Sequence, residues 1–477
     1  MKIVLANAPF RTYNGKFLKK DITLEKLKDN LNCKIDHLYK RHLSPFLQEK
    51  INLKLNLNKE GFRYGVRAGS RWPWTAAWPH GDAPYPFMMG YSAALLKENG
   101  FEVNILDAVV NEFYSCEKFV EKIKKENPDI VIIESAAVTM DIDLWTAKQV
   151  SEFAEVALAG PHFTDDIAEN LKKQNPYIKY FLKGEYIKSS LKMAQTRESG
   201  IYDSEIVTDL DSIPFPFRDY EGAEKYYEVT MPTPRPQLQI YASKGCPFKC
   251  KFCMWPQTMY KGNVAQRSPE KIAEEIRINV EKHGYKSILF DDDTFNIGNE
   301  RISKLCDYLK EIGLPWTMMG RLDSSPDWLF DKMVDSGCVG MRFGVETFDI
   351  ECLKKINKGL ERIDFQGTLK HLSQKYPDLW LHLTMMKDMP GQTEDIHQKD
   401  MKILEDLGFS IYGSCDTHRH FQLSHCVPYK GTQLYKEMME LLGNEFDQKN
   451  IQYDGMSDTI MSELNKRGLW NKTNTTV

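Results

Sequence analysis

Three cysteines lie together on one short stretch, which reads Lys244-Gly245-Cys246-Pro247-Phe248-Lys249-Cys250-Lys251-Phe252-Cys253-Met254-Trp255. Thiolates spaced four and then three residues apart can converge on one metal centre, but a four-iron four-sulfur cluster needs four ligands. One iron of such a cluster would therefore stay open to bind another molecule. A zinc ion with a distant fourth ligand is the alternative, although zinc loops usually carry paired doublets and the sequence has no second one.

Length and composition exclude several classes of protein. The 477 residues are too many for one compact core and predict two or three domains. A net charge of −4 gives no general attraction to nucleic acid. The apolar run Ile3–Ala6 is too short for a signal peptide, and no stretch approaches the roughly 20 apolar residues of a membrane span. We therefore expect a cytoplasmic protein with no nucleic-acid partner.

The N-terminal part, 1–195, alternates apolar strands with helices. Strands are predicted at Ile3–Ala8, Glu102–Leu106, Asp129–Ile133, Val156–Ala159 and Tyr177–Leu182. This order predicts an α/β fold with a doubly wound, Rossmann or flavodoxin-like parallel sheet, whose ligand lies at the carboxyl ends of the strands. An insertion, 10–85, is charged at first and then aromatic. Its aromatic side chains would cover a ligand or form a small separate core.

A Pro-rich linker is predicted at 196–236, followed by a second α/β part at 237–435. Its strands are predicted at Gln237–Tyr241, Ser287–Phe290, Trp316–Met318, Gly340–Gly344 and Trp380–Thr384. This pattern indicates a (βα)6-type partial TIM barrel, with its chemistry at the carboxyl ends of the strands. A polar helical tail is predicted at 436–477.

The cysteine stretch resembles the cluster loop of the radical S-adenosylmethionine (SAM) superfamily. That loop reads Cys-x3-Cys-x2-Cys with an aromatic residue before the last cysteine, here Phe252. The resemblance implies that Cys246, Cys250 and Cys253 hold a four-iron four-sulfur cluster. It also implies that SAM binds the open iron and that Phe252 contacts SAM.

Further candidate SAM contacts follow the predicted barrel strands. Asp291, Asp292 and Asp293 come after the second strand, where the superfamily binds the amino group of SAM, although the glycines of its motif are missing here. Adjacent carboxylates repel one another unless a cation, donor or proton lies between them, and solvated helix caps are the alternative. The resemblance completes the set with Arg342, Glu346 and Gly391.

The N-terminal part resembles the cobalamin-binding domain that precedes many radical SAM enzymes. The residues that carry this resemblance follow the predicted strands, and they are Pro9, Asp107, Ser135, Gly160, Pro161, His162, Gly184 and Glu185. Gly160 has a physical reason, since a residue without a Cβ lets backbone approach a flat macrocycle. The run Asp-x-His-x-x-Gly, through which cobalamin mutases supply a His to cobalt, does not occur in the sequence. A flavodoxin-like fold with another ligand is the alternative.

Three histidines, His418, His420 and His425, lie near Cys415 and Cys426. The spacing of two puts His418 and His420 on one face of an apparent strand, but a third metal ligand would have to come from elsewhere. A second metal site, substrate or proton handling, and ordinary packing are the open interpretations.

The order of the two parts is similar to that of cobalamin-dependent radical SAM enzymes, chiefly methyltransferases. The resemblance implies that a 5′-deoxyadenosyl radical abstracts hydrogen from an unactivated carbon, which then takes a methyl group from methylcobalamin. It implies a small-molecule or peptide substrate and an electron donor such as flavodoxin or ferredoxin. A cyclase or ring-rearranging enzyme without net methylation and a non-catalytic cobalamin- or redox-responsive binding protein are the alternatives. A tRNA methylthiotransferase is less expected, because its N-terminal half needs three more cluster cysteines. The N-terminal half of this chain has only Cys33 and Cys116.

Overall fold

The structure is a computed structural model, and it divides into two compact units. The first unit comprises residues 1–229 and 235–239, and the second comprises 230–234 and 240–477. None of the helices in the described part of the chain is long and apolar enough to cross a lipid bilayer. The described residues are 1–8, 11–13, 16–17, 63–64, 83–111, 116–136, 139–228, 230–231, 233–411, 417–442, 451–452 and 455–456.

The first unit alternates strands and helices along most of its described length. Its strands are β1 (Lys2–Asn7), β2 (Arg11–Tyr13), β3 (Lys16–Phe17), β4 (Arg63–Tyr64), β5 (Glu102–Asp107), β6 (Ile130–Glu134), β7 (Glu155–Gly160), β8 (Tyr180–Lys183) and β9 (Gly200–Tyr202). Its helices are α1 (Phe87–Glu98), α2 (Cys116–Lys125), α3 (Met140–Val150), α4 (Asp165–Gln174) and α5 (Ile187–Thr196).

Six of these strands form one parallel sheet in the order β5-β1-β6-β7-β8-β9. The order reverses between β1 and β6, so the carboxyl ends of these two strands border the place where doubly wound sheets bind ligands. Every residue of β6 is buried, as expected for a β-branched strand that is covered on both faces. The predicted doubly wound sheet is therefore present.

Strand β9 lies inside the segment predicted as a linker, 196–236. It pairs in parallel with β8, from Tyr180 opposite Gly200 to Leu182 opposite Tyr202. Further along the same segment, the Arg218 guanidinium lies 4.0 Å from the centroid of the Tyr85 ring. The prolines favoured a linker, but a short apolar strand and a buried arginine attach this segment to the first unit.

The insertion 10–85 is described only in part. Strands β3, β2 and β4 form a small antiparallel sheet in that order. The aromatic residues that suggested a ligand cover or a separate core lie largely outside the described residues.

The second unit repeats the alternation of strand and helix. Its strands are β10 (Gln237–Ile240), where the chain passes from the first unit to the second, β11 (Ser243–Lys244), β12 (Ala265–Gln266), β13 (Ser287–Phe290), β14 (Trp316–Gly320), β15 (Cys338–Glu346), β16 (Trp380–Lys387), β17 (Ser410–Ile411), β18 (Arg419–His425), β19 (Ile451–Gln452) and β20 (Gly455–Met456). Its helices are α6 (Pro269–His283), α7 (Asn299–Ile312), α8 (Asp327–Asp335), α9 (Ile350–Lys355), α10 (Phe365–Lys375), α11 (Glu394–Asp406) and α12 (Gln433–Leu442).

The main sheet of this unit has the order β10-β13-β14-β15-β16-β18-β17. Neighbours from β13 onward pair in parallel, as the predicted partial barrel requires. Phe343 of β15 packs against Phe330 of α8 with ring centroids 5.6 Å apart, so this face of the strand meets the helices. Arg342 and Gly344 alternate with it and face the inside of the barrel.

Local sequence signals set both ends of helix α6. The Ser268 side chain caps α6 by accepting from the backbone N–H of Lys271, Pro269 opens the helix, and Gly284 ends it with a φ of 68°. Helix α12 covers the start of the predicted helical tail, β19 and β20 form a short antiparallel pair further along it, and its other residues lie outside the described ranges.

Candidate metal centre and cofactor sites

The three cysteines lie on a loop that leaves β11 and returns to β12. Ser243 pairs with Gln266 and Lys244 with Ala265, so the loop is closed by a short antiparallel ladder. Gly245 begins the loop with a φ of 81°, and a Cβ there would overlap the carbonyl oxygen of Asn263. Glycine is required at this position because the two ends of the loop pass so close together.

The three thiols are close enough to influence one another, and none is in a disulfide. Burial raises the pKa of Cys253, and the neighbouring Cys250, Asp293 and Cys246 raise it further. Burial also raises the pKa of Cys246. Thiols in such a place become thiolates only when cations offset their charge, which is what bound metal ions do.

Gln257 holds the cysteine loop in shape. It lies in a short π-helical turn, Trp255–Met259, which begins shortly after Cys253. Its side-chain Nε2 donates to the carbonyl oxygens of Cys250 at 3.0 Å, Lys251 at 3.2 Å and Cys253 at 2.7 Å. Its Oε1 accepts from the backbone N of Gln433 at 2.8 Å, so the start of α12 is tied to the same loop.

The three adjacent aspartates after β13 have separate roles. Asp292 is fully buried and accepts hydrogen bonds from the backbone N of Ala242 at 3.1 Å and from the backbone N and the hydroxyl of Ser243, the latter at 2.6 Å. Burial raises its pKa to about 7. Asp293 accepts from the backbone N of Gly245 at 2.7 Å and lies near the thiols, while the half-buried Asp291 donates its backbone N to Ile240. Asp292 was predicted to contact SAM, and its carboxyl supports the start of the cysteine loop.

Two cations that the sequence interpretation missed lie beside the thiols. Arg321, directly after β14, places Nη1 3.5 Å from Sγ of Cys250. Lys358 pairs with Glu346 at 2.7 Å, with both side chains buried, and its Nζ lies 6.0 Å from the centroid of the Phe252 ring. Lys358 lowers the pKa of Cys253, as Arg321 does for Cys246. The position of Arg321 at the carboxyl end of a barrel strand could have indicated it, whereas no sequence pattern indicates Lys358.

The four remaining predicted SAM residues lie in different settings. Glu346 ends β15 with a φ of 70°, which is rare for a residue other than glycine and is typical of functional sites. Phe252 packs against a buried cluster that includes Met386 and Met389. Gly391 has a φ of 82° and packs against Lys355. Arg342 lies four residues before Glu346, which is about 13 Å along a strand.

The histidines divide between two places in the barrel. Arg342, His382 and His420 are in register across three neighbouring strands, and the two imidazole rings are 4.7 Å apart. Burial lowers the pKa of His382 well below its usual value, and Arg342 and His420 lower it further. His418 lies 4.4 Å from the Trp380 ring, whereas His425 pairs with Asp388 at 2.5 Å. The three predicted histidines therefore do not meet at one point.

In the described ranges, no group of three or more His, Cys, Asp or Glu side chains is placed to hold a single metal ion. This holds for the three thiols as well. A single zinc ion keeps its thiolate ligands about 2.3 Å from one point. A four-iron cluster holds each cysteine on a separate iron, so it needs the thiols farther apart.

Asp107 is buried at the carboxyl end of β5 in the first unit. Its Oδ1 accepts from Nδ2 of Asn7 at 3.1 Å and from the backbone N of Val109 at 3.0 Å. Its Oδ2 accepts from the hydroxyl of Tyr226 at 2.9 Å. The carboxyl that was predicted to contact cobalamin therefore joins β1, β5 and the segment after β9.

Ser135, after β6, is likewise buried and joined to other protein groups. Its hydroxyl donates to Oδ2 of Asp143 at 2.6 Å, which also accepts from the hydroxyl of Thr139 at 2.5 Å. Burial raises the pKa of Asp143 to about 7. Gly160, at the end of β7, has a φ of 149°, and a Cβ there would overlap the carbonyl oxygen of Ser135. The carbonyl of Ser135, just after β6, thus requires glycine at position 160. The sequence had suggested a different reason, the approach of a flat ligand.

The other predicted cobalamin residues follow β7 and β8. Pro161 is exposed and His162 is half-buried after β7, and burial lowers the pKa of His162. Gly184 has a φ of 57°. Glu185 is fully buried, and its Oε1 accepts from the backbone N of Val207 at 2.6 Å. Pro9 lies outside the described residues.

Comparison with known families identifies both units. The model of the radical SAM superfamily matches residues 240–403, and the model of the B12 binding domain matches residues 83–191. The chain is a cobalamin-dependent radical SAM enzyme. The predicted family and fold class are confirmed. Its cofactors are SAM, a four-iron four-sulfur cluster and cobalamin, as the two family models imply.

Two curated relatives of the enzyme are methyltransferases. An uncharacterised methyltransferase of Pyrococcus horikoshii is 26% identical over 74% of this chain and 78% of its own length. The cytidylyl-2-hydroxyethylphosphonate methyltransferase of Streptomyces wedmorensis is 24% identical over 68% of this chain and 74% of its own. The enzyme thus spans about three quarters of each relative.

A solved structure supports the fold. The radical SAM methyltransferase TsrM from Kitasatospora setae, solved with its tryptophan substrate and a SAM analogue, matches with a TM-score of 0.60 and 16% identity. The match covers 76% of this chain and 74% of TsrM. At this identity the likeness shows the arrangement of elements and does not transfer a substrate.

The residues present fit both metal-containing cofactors. Three thiols on a closed loop, with Arg321 and Lys358 beside them, form a donor set suited to a cluster that has one open iron. In the first unit, the order of strands reverses between β1 and β6, and the carboxyl edge of a doubly wound sheet at such a point suits a large ligand.

Proposed function

We propose that the enzyme transfers a methyl group from methylcobalamin to an unactivated carbon of its substrate. The observation that carries this proposal is the loop of Cys246, Cys250 and Cys253, held by Gln257 and faced by Arg321. Both curated relatives described above are methyltransferases, which favours methylation as the outcome. When bound, the cluster and SAM supply a radical that abstracts hydrogen, and cobalamin supplies the methyl group.

The residues of the second unit hold the reactive cofactors in this proposal. Cys246, Cys250 and Cys253 bind three irons of the cluster as thiolates. Asp291 and Asp293, at the carboxyl end of β13, accept hydrogen bonds from the amino group of SAM. Asp292 supports the loop from behind, through its hydrogen bonds to Ala242 and Ser243.

Phe252, together with Glu346 and Gly391 and their left-handed backbone, completes the SAM site in this proposal. Phe252 packs against the nucleoside of SAM, and Glu346 accepts hydrogen bonds from the ribose hydroxyls. Lys358 holds the carboxylate of Glu346 in place. Gly391 forms the turn beside them. Arg342, which lies about 13 Å before Glu346 along β15, remains a proposed SAM contact that would reach the ligand with its long side chain.

In the first unit, we assign cobalamin to the carboxyl edge of the parallel sheet, at the switch point between β1 and β6. The backbone at Gly160 and Gly184 approaches the ligand, with Pro161 and His162 on the adjacent loop. Asp107, Ser135 and Glu185 shape this edge through internal hydrogen bonds. The proposal includes a small-molecule or peptide substrate, an external flavodoxin or ferredoxin as electron donor, and action in the cytoplasm.

Anaerobic turnover with isotope-labelled SAM tests this function. The reconstituted full-length enzyme is incubated with a reductant, cobalamin, SAM with a deuterated methyl group, and pooled small-molecule and peptide extracts. A product that gains the labelled methyl group supports methylation. Formation of 5′-deoxyadenosine with an altered but unmethylated product would indicate the cyclase or ring-rearranging alternative.

The matched control is a Cys250→Ala variant, which lacks a cluster ligand and should release no 5′-deoxyadenosine. Absence of 5′-deoxyadenosine from the wild-type enzyme with a full cluster would contradict the proposal and favour a non-catalytic binding protein.

A further inference from the structure

Arg321 brings a fixed positive charge to one of the proposed cluster ligands. Its Nη1 lies 3.5 Å from Sγ of Cys250. Its guanidinium carbon lies 3.8 Å from the centroid of the ring of Phe248, which is on the same loop. Arg321 is only 5% exposed, so water and salt screen its charge weakly. Arginine stays protonated in proteins, so this charge does not depend on pH.

The guanidinium group is held in one orientation by other contacts. Nε and Nη2 donate to the two oxygens of Asp323, at 2.8 Å and 2.7 Å. Nη2 also donates to the carbonyl oxygen of Lys358. The backbone of Arg321 exchanges two hydrogen bonds with the side chain of Asn296, at 3.0 Å and 2.8 Å. These contacts leave Nη1 directed at the sulfur.

Hydrogen bonds and positive charge near the sulfurs set the reduction potential of an iron–sulfur cluster. Reduction by one electron adds one negative charge to the cluster. A nearby cation and an N–H···S hydrogen bond therefore stabilise the reduced form more than the oxidised form.

We propose that Arg321 raises the reduction potential of the cluster by donating an N–H to the thiolate of Cys250. This eases the transfer of one electron from an external flavodoxin or ferredoxin to the oxidised cluster. The inference rests on the proposed cluster ligands Cys246, Cys250 and Cys253. Arg321 acts through Cys250 and is a positioning residue.

The test is a redox titration, followed by electron paramagnetic resonance, of the anaerobically reconstituted full-length protein without substrate. In Arg321→Gln the equilibrium constant for one-electron reduction should fall at least tenfold, which lowers the potential by about 59 mV. Arg277→Gln is the matched control, because it makes the same change of charge at a residue that is 51% exposed and pairs with Glu311. Its potential should equal that of the wild-type protein.

A second variant tests the sign of the effect. Asp323→Asn keeps one acceptor for the guanidinium group but removes the negative charge that offsets it. Its cluster should be reduced at a higher potential than the wild-type cluster, whereas a residue with a merely structural role would not move the two variants in opposite directions. If Arg321→Gln takes up no iron, Asp323→Asn decides alone, because an unchanged or lower potential overturns the proposal.

Iron analysis separates this inference from the proposed function. A wild-type protein that takes up no iron contradicts the cluster ligands themselves. Variants that hold about four irons per chain but share the wild-type potential contradict only the role of Arg321. An equal shift in Arg277→Gln would also overturn it, because the effect would then follow the total charge of the protein.

Discussion

Replacing Asp292 by alanine should loosen the start of the cysteine loop. The carboxyl is fully buried and accepts from the backbone N of Ala242 and from the backbone N and hydroxyl of Ser243. Ser243 is the first residue of β11, and Cys246 follows three positions later. In Asp292→Ala, two backbone N–H groups would stay buried without their acceptor.

The expected loss follows from those two groups. Each buried N–H without a partner costs about 1–3 kcal/mol, so two cost about 2–6 kcal/mol. Burial of the carboxyl is itself unfavourable, as its pKa of about 7 shows, and alanine recovers part of that cost. We expect the unfolding free energy of the second unit to fall by about 2–4 kcal/mol. Asp292→Asn keeps one acceptor oxygen and should lose about 1–2 kcal/mol.

Urea unfolding of the anaerobic apoprotein, followed by circular dichroism and tryptophan fluorescence, measures this loss. Asp307→Ala is the control, because Asp307 is 65% exposed and forms a surface ion pair with Lys332. Such a pair contributes less than about 1 kcal/mol. An Asp292→Ala protein that unfolds at the same urea concentration as Asp307→Ala, and binds as much iron as the wild type, would refute the reasoning.

Three further substitutions test other parts of the account. Gln257→Glu should lose iron faster than Gln257→Ala, because a carboxylate would face three carbonyl oxygens; equal rates of iron release would argue against the role of the amide. Gly160→Ala should lower the unfolding free energy of the first unit by more than about 1 kcal/mol, because of its left-handed φ and the overlap with the carbonyl of Ser135. Gly200→Ala should keep the full unfolding free energy, because a Cβ there meets nothing within 4 Å. Equal urea midpoints in the two variants would contradict the role given to Gly160. The pKa of Asp143 is raised from 3.8 to about 7, so the folded state keeps a proton that the unfolded state releases, and stability should fall as the pH rises from about 4 to about 7. Asp143→Asn should lack this fall, which is at most about 4 kcal/mol; parallel declines between about pH 4 and about pH 7 in both proteins would count against it.

The fold could be predicted from the sequence where the pattern is local. The β-branched run at β6 predicts a strand that is covered on both faces, and the structure buries every residue of it. Ser268, Pro269 and Gly284 mark both ends of α6. Strand β9 was missed because its three residues are too few to show a periodic pattern. Pairing with β8, a tertiary contact, forms that strand.

The candidate site was predictable in its ligands and less so in its surroundings. The spacing of the three cysteines identifies the loop, since one stretch of chain supplies all three thiols. The run of three aspartates does not show that Asp292 turns inward while Asp293 faces the loop, because side-chain direction depends on the backbone after β13. Arg321 and Lys358 reach the thiols from strands and turns distant in sequence, so only the folded chain brings them together.

Iron and sulfide analysis of the anaerobically reconstituted protein tests the central claim most directly. The wild-type chain should bind about four irons and four sulfides. The variant with Cys246, Cys250 and Cys253 all replaced by alanine should bind none. A wild-type chain without iron, or a triple variant that keeps the wild-type amount, would contradict the assignment of the cluster to this loop.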